Sequence, residues 1–231
     1  MRNEVTLEFT KFISRKGINV KSVAIIGGNS RDPEVQVIIH HFPKAEIHYF
    51  DLVNSGNDDN FQQLDLNRDF LESEFKRKFD LVVSSQVLEH IWNHSNFFKT
   101  VVNFANPNGL IWINCPKSNF VHGSPHYYSA GFTATYLEMN LKYHDCQVLE
   151  SGEIGNKRYY LAVHLARYWQ TPEENEHPIR GYNFQPGSKL GVARKFLIDL
   201  PVRLYLCIVP RRDSDGKDFA TEAYIGAQRK G

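Results

Sequence analysis

"VAIIGGNSRDPEV", residues 23–35, is the stretch on which the fold turns. Four apolar residues, 23–26, form a short strand pattern, and Gly27-Gly28 then marks a tight turn. Asp32 is placed to N-cap a helix, and Pro33 suits the first helical position. Strand, turn and helix in that order open a βαβ unit. Neither glycine carries a Cβ, so this turn also lets backbone approach a ligand closely.

Working outward, the alternation continues. Val5, Phe9, Phe12 and Ile13 recur at helical spacing, which predicts an amphipathic first helix ending at Gly17. The second predicted helix starts at Pro33 and reaches His41. "EIHYF" (46–50) is a second strand and runs into Asp51; "FDLVVS" (79–84) is a β-branched strand and "LIWIN" (110–114) the next one. Between the last two lie an amphipathic helix, "NFFKTVVNFA" (96–105), and a turn, "NPNG" (106–109). A helix over 133–140, a strand over 146–149 and a final strand in "EAYIGAQRK" (222–230) complete the pattern. Alternating strands and helices predict an α/β, Rossmann-like doubly wound, mostly parallel sheet. The 231 residues fit one domain, with a core over about 18–156 and 218–231 and a helical insertion over about 157–217.

Composition removes several classes. A formal net charge of +1 makes no global electrostatic case for nucleic acid. Cys115, Cys146 and Cys207 are odd in number, widely spaced and without a CxxC pair, which argues against a disulfide framework or a zinc site. The default compartment is therefore the reducing cytosol. No stretch reaches 18 uncharged apolar residues, and the first 17 carry Glu4 and Glu8 in place of a signal-peptide core.

Ligands of such sheets bind beyond the carboxyl ends of the strands. Asp51 stands there, 24 residues after Gly27, where an acid accepts both hydroxyl protons of a ribose; the alternative is an Asp that merely caps a turn. The helix start after the glycines discriminates between cofactors. A dinucleotide's pyrophosphate needs bare N–H groups, yet Asp32 and Glu34 occupy this start and Pro33 has no N–H. S-adenosylmethionine has no phosphate and carries a sulfonium cation, so the turn favours it.

The order "VAIIGGN", "EIHYFDL", "FQQLDLN", "KFDLVVSSQVLEHIWN", "NPNGLIWINCP" resembles the class I S-adenosylmethionine-dependent methyltransferases, and most of all the group whose fourth strand reads FDxVxxxxVLEH. The resemblance covers about residues 20–150 and the last strand. It implies a seven-stranded sheet of order 3-2-1-4-5-7-6 with an antiparallel last strand. It also implies that Gly27, Gly28 and Asn29 approach the methionine and ribose moieties and that Asp51 holds the ribose hydroxyls beside Leu52. Asp65, next to Leu66, would accept from the adenine amino group, and Ser85 and Gln86 would line the methionyl end. Two departures stand out: the family's acid before the first glycine is Ile25 here, and its second motif glycine is Asn29, a residue that tolerates a left-handed backbone.

On the acceptor side, an oxygen or nitrogen nucleophile has to lose a proton, and a His or carboxylate is the usual base. The segment after the fifth strand offers "VHGSPHYYSAGFT", whose His126-Tyr127-Tyr128 matches a His-aromatic cluster of the family. His126 is the first candidate base and His122 the second, with a loop-pinning hydrogen bond as the competing role for His126. His90, in "LEH", reads as a structural hydrogen-bonding residue on a helix against the sheet. "HIWNH" puts His90 and His94 at one-turn spacing, but without a third ligand it makes no metal site.

The insertion's "ARKFLIDLPVRLYLCIVPRR" (193–212) is amphipathic and basic. It fits a peripheral membrane contact through about 190–212, an anionic substrate such as a sugar nucleotide, or a packing helix interrupted at Pro201. The insertion as a whole would shape the acceptor pocket or a homo-oligomer interface. The sequence is thus read as a cytoplasmic methyltransferase for O-methylation of a small molecule or glycan precursor, with a surface-polysaccharide sugar as first choice. A non-catalytic methyltransferase-like binding or scaffold protein is the alternative. An NAD-dependent sugar enzyme would need a third glycine and a Tyr-x-x-x-Lys pair that are not there.

Overall fold

Seven strands form a single sheet in the computed structural model, which describes residues 2–15, 18–68, 77–118, 126–155, 201, 204 and 220–231. The elements that build and flank it are α1 (Arg2–Ile13), β1 (Ser22–Ile26), α2 (Pro33–His41), β2 (Glu46–Asp51), β3 (Phe61–Gln63), β4 (Phe79–Ser85), α3 (His94–Phe104), β5 (Ala105–Pro116), α4 (Ala134–Tyr143), β6 (Cys146–Ile154) and β7 (Glu222–Arg229). The strand order is β3-β2-β1-β4-β5-β7-β6, as the resemblance implied. β1 to β5 pair in parallel, and β7 runs antiparallel to both β5 and β6. The predicted insertion falls almost wholly outside the described residues.

The central strands are apolar on both faces because helices cover both. Along β1 the side chains alternate between two buried clusters. Ala24 and Ile26 join the cluster under α3 and α4, while Val23 and Ile25 join the one under α1 and α2. The helical spacing of Val5, Phe9, Phe12 and Ile13 gives α1 one fully buried stripe. Phe9 and Phe12 pack on Trp112 at ring-centroid distances of 5.3 and 5.4 Å, and Trp112 stacks on Tyr224 of β7 at 5.2 Å. Each such buried ring contributes about 1.5–3 kcal/mol. α1 therefore belongs to the core, upstream of the core's predicted start.

Three local readings differ from the sequence. "NPNG" does not interrupt the fifth strand but bulges within it. Phe79 pairs with Ala105 and Leu81 with Leu110, so four residues are accommodated in the bulge, with Asn108 at φ +63°. "LEH" is a 3-10 turn (Leu88–His90), not part of an α-helix, and α3 starts only at His94. His90 and His94 consequently face different partners, Tyr127 for the first and Phe132 with Tyr136 for the second. Asp32 occupies the N-cap position of α2, yet its side chain makes no cap bond and folds back onto the preceding turn.

Gly226 in β7 makes room for α1, because a Cβ there would lie 2.5 Å from the ring of Phe12. The ring is hemmed in by Trp112 and cannot swing aside cheaply. Gly226→Ala is expected to lower unfolding free energy by ~1–3 kcal/mol without changing the fold, read as an earlier denaturant midpoint at constant slope.

Candidate functional site

The carboxyl ends of β1, β2, β4, β5 and the start of β7 meet along one edge of the sheet. Parallel pairing puts the exits of β1 and β4 side by side, Ile26 opposite Ser84. Gly27 leaves β1 at φ +70° and donates its N–H to the Phe50 carbonyl at 2.7 Å. A Cβ on Gly27 would sit 2.3 Å from a Val87 methyl, so two exit loops touch where only glycine fits. Gly28 follows, and there a Cβ would stand 2.9 Å from Asp32 Oδ2 and 3.0 Å from Ile25 Cγ2. That pair forms a bare-backbone cradle.

Asn29 holds the turn differently from expectation. It is not among the residues at positive φ; Gly27 takes the left-handed conformation instead. The Asn29 N–H donates to Asp32 Oδ2 at 2.9 Å, and its Oδ1 accepts from the Arg31 N–H at 2.9 Å. The loop after β2 closes on this turn: Asp58 Oδ2 accepts from the Ser30 N–H at 3.4 Å, and Gly56 abuts Asn29. Ile25, at the position of the family's acid, is buried in the layer under α1 and α2.

Asp51 ends β2 at the same edge and accepts the Leu52 N–H at 2.6 Å. Burial raises its carboxyl above the ordinary range; the Leu52 bond opposes this, and the charge of Asp32 adds to it. Leu52 is exposed beside it. Asp65 lies one strand further out, its carboxylate accepting from the Asn67 N–H at 3.0 Å and pairing with Arg68 at 3.2 Å. Leu66, next in sequence, turns its side chain into the core, while its carbonyl accepts from Asn96. Asn67 in turn receives the Trp92 and Asn93 N–H groups, which ties the loop after β3 to the start of α3. Gly27, Gly28, Asn29, Asp51, Leu52 and Asp65 thus share one edge. The bare turn with a carboxylate beside it suits a sulfonium nucleoside.

The other half of the edge is polar and was only partly legible. Ser85 Oγ donates to Asn114 Oδ1 at 3.1 Å. Gln86 adopts φ +59°, and its N–H donates to the Asn114 carbonyl at 2.9 Å. The Gln86 side-chain amide donates to Asn114 Oδ1 and to Glu222 Oε2, both at 2.8 Å. Asn114, at the end of β5, and Glu222, at the start of β7, are the residues sequence reasoning missed. Their signal was weak: a buried Asn closing an apolar strand, and an acid opening another.

Glu89 has 0% exposure, and among the described residues neither of its carboxyl oxygens has a hydrogen-bond partner. Burial pushes its carboxyl up to about 7; its own main-chain N–H, outside hydrogen-bond geometry, opposes this, and the charge of Glu222 adds to it. His90 Nε2 is 3.8 Å from its Oε1, too long for a hydrogen bond. His90 Nδ1 donates to the His126 carbonyl at 2.6 Å, which bears out its structural reading. The His126–Ser129 loop is further fixed by the Tyr128 N–H on the Glu89 carbonyl at 2.9 Å, and His126 itself is exposed. His122 lies outside the described residues. Among the described residues no group of three or more His, Cys, Asp or Glu could hold a metal ion.

Comparison with known proteins bears on this edge. A family model described as a methyltransferase domain matches residues 12–191. No curated protein matches the chain significantly. Among solved structures, an O-methyltransferase from a polyketide multienzyme of Brevibacillus brevis, in complex with S-adenosylhomocysteine, is 15% identical with a TM-score of 0.54, over 97% of this chain and 72% of that one. Phosphoethanolamine N-methyltransferase 2 of Haemonchus contortus, with S-adenosylmethionine, is 13% identical with a TM-score of 0.56, over 99% and 53%. The 4+2 cyclase SpnF is 10% identical with a TM-score of 0.56, over 99% and 82%. With the family model spanning most of its length, the chain belongs to the class I S-adenosylmethionine-dependent methyltransferases.

Proposed function

We propose that this methyltransferase transfers the methyl group to an oxygen of a small molecule or glycan precursor, with a surface-polysaccharide sugar as the first class to try. The observation that carries the reading is the polar network beyond Gln86. Ser85, Asn114 and Glu222 form one hydrogen-bonded set at the carboxyl ends of β4 and β5, on the side where a hydroxylated acceptor would meet the methyl end of the cleft. Tyr128 and Trp92 stand exposed on neighbouring loops and suit the face of a ring. The structural likeness to an O-methyltransferase supports the direction of the proposal.

In this reading Gly27, Gly28 and Asn29 admit the methionyl and ribose parts of the cofactor. Asp51 accepts from the ribose hydroxyls with Leu52 at its side, and Asp65 accepts from the adenine amino group next to Leu66. Bound there, S-adenosylmethionine supplies an electrophilic methyl group. The protein's part is alignment, since in-line displacement gains much of its rate from a fixed attack geometry. Ser85 and Gln86 border the methyl end, and His126 takes the proton from the attacking hydroxyl; His122 is the second choice for that role.

A second reading, a methyltransferase-like protein without methyl transfer, draws on Ile25 and on the likeness to a cyclase. Cytosolic placement, a membrane-surface contact through about 190–212 and a homo-oligomer belong to the proposal as well. Among the described residues no helix is long and apolar enough to cross a membrane.

Calorimetry with S-adenosylmethionine and S-adenosylhomocysteine separates the two readings: absence of heat with both ligands sinks the enzyme. Asp51→Ala is expected to weaken S-adenosylmethionine by at least about tenfold, roughly 1.4 kcal/mol. Unchanged affinity would reduce Asp51 to a turn residue. Once an acceptor is found by screening hydroxylated sugars and sugar nucleotides for a one-methyl mass gain, His126→Ala should cut turnover about a hundredfold or more with cofactor affinity intact. Full activity in that variant removes His126 as the base.

A further inference from the structure

We propose that Glu89 and Glu222 form a buried negative floor beneath the methyl end of the cleft, one that favours the sulfonium of S-adenosylmethionine over the neutral thioether of S-adenosylhomocysteine. The inference rests on the cofactor assignment and goes beyond it, because it names residues that set the preference between substrate and product cofactor.

The geometry is specific. Glu222 is 6% exposed and held by amides: Gln86 Nε2 at 2.8 Å and Asn114 Nδ2 at 3.4 Å both donate to its Oε2. Donation from two neutral amides stabilises its ionised form. Glu89 has no such help and is fully buried. Both carboxyls act on Cys115 of β5, whose thiol is pushed well up by burial first and by the charges of Glu89 and Glu222 next. Among the described residues the titratable groups around Glu89 are Glu222 from β7, Cys115 from β5 and His90 on its own turn, with Tyr136 of α4 beyond Cys115.

A buried carboxyl without hydrogen bonds costs stability unless a ligand's charge is to face it. Gln86 bridges Glu222 to the exit of β4, and Val87 beside it touches Gly27, the entry to the cofactor cradle. A cation placed at this junction is separated from Glu222 by one side chain. Methyl transfer turns that cation into a neutral sulfur, so the floor holds the substrate cofactor and relaxes its grip on the product. Because Glu89 ionises near neutrality, the preference should strengthen with pH, and cation binding should expel a proton from Glu89.

The test uses the full chain, S-adenosylmethionine, S-adenosylhomocysteine and the variant Glu89→Gln, by calorimetry between pH 6 and 8 in buffers of different ionisation enthalpy. In the unmutated protein the ratio of the two dissociation constants should widen as pH rises, and more protons should be released with the sulfonium ligand. Glu89→Gln should shrink the ratio at pH 8 by about tenfold and flatten its pH dependence, with S-adenosylhomocysteine affinity little changed. Any ionisation of the ligands' own amino groups cancels in the comparison of variant with parent. A ratio and proton release identical in the two proteins overturns the proposal. Failure of both ligands to bind the parent protein overturns the cofactor assignment itself, a distinct result.

Thermal unfolding supplies an independent check on the variant. The folded carboxyl of Glu89 sits near 7, above its ordinary 4.5, so folding favours its protonated form and loses stability as pH rises through that window. Glu89→Gln escapes this loss: its Tm should match the parent at pH 4, below the ordinary value, and exceed it at pH 8. A lower Tm than the parent at pH 8 means that Glu89 has a stabilising partner in solution, and overturns the unpartnered acid on which the floor depends.

Discussion

The contact between Gly27 and Val87 is the constraint on which the site depends. Two parallel neighbours, β1 and β4, end at the same height, and the chain must leave both without filling the space above them. At φ +70°, with a methyl where its Cβ would stand, Gly27 lets the first exit loop turn away while touching the second. A side chain there would face both backbone strain and collision, two penalties that no single rotamer relieves. Everything along the edge inherits its spacing from this junction: Asp51 on one side, Gln86 and Glu222 on the other.

Acidic groups are distributed along this edge in a way that the loss of one family position helps to explain. Ile25 points into the layer under α1 and α2 and adds to the core. Negative charge gathers instead around the turn, where Asp32 and Asp58 accept from its backbone N–H groups and Asp32 and Asp51 raise the local field together. A second concentration lies across β4, in Glu89 and Glu222. A diphosphate would meet repulsion at both places, whereas a sulfonium nucleoside meets attraction. The charge pattern thus agrees with the steric pattern of the glycine pair.

Much of the fold was legible because its signals are periodic and local. The central runs of β1, β4 and β5 (23–26, 81–83 and 110–113) are apolar, as strands covered on both faces must be, and α1 shows its buried stripe at helical spacing. Boundaries failed where geometry depends on a neighbour. "NPNG" has the composition of a turn, but pairing with β4 on either side turns it into a bulge. "LEH" looked helical, yet the chain rises out of a 3-10 turn because Asn93 caps α3 and resets the start. Within the candidate site, Gly27, Gly28, Asp51 and Asp65 were open to proposal because they stand at strand ends. Asn114, Glu222 and Glu89 could not, because they matter through one another. Glu222 reaches Gln86 from 136 positions away, a proximity created only by the antiparallel placement of β7 beside β5.

Gln86 shows why such a network escapes a reading of residue types. A left-handed backbone at a non-glycine residue is strained by about 1–2 kcal/mol, and at a turn of this kind glycine or asparagine is the ordinary choice. Glycine would relieve the strain, but it would also remove the amide that joins Asn114 to Glu222. Asparagine would tolerate the backbone with a shorter reach. Glutamine keeps both functions: its N–H fixes the turn on the Asn114 carbonyl, and its longer side chain spans to β7. The strain is local, while the hydrogen bonds that offset it come from two other strands. A residue with that balance is held for what its side chain connects, and here it connects the exit of β4 to the acid of β7 at the carboxyl edge of the sheet.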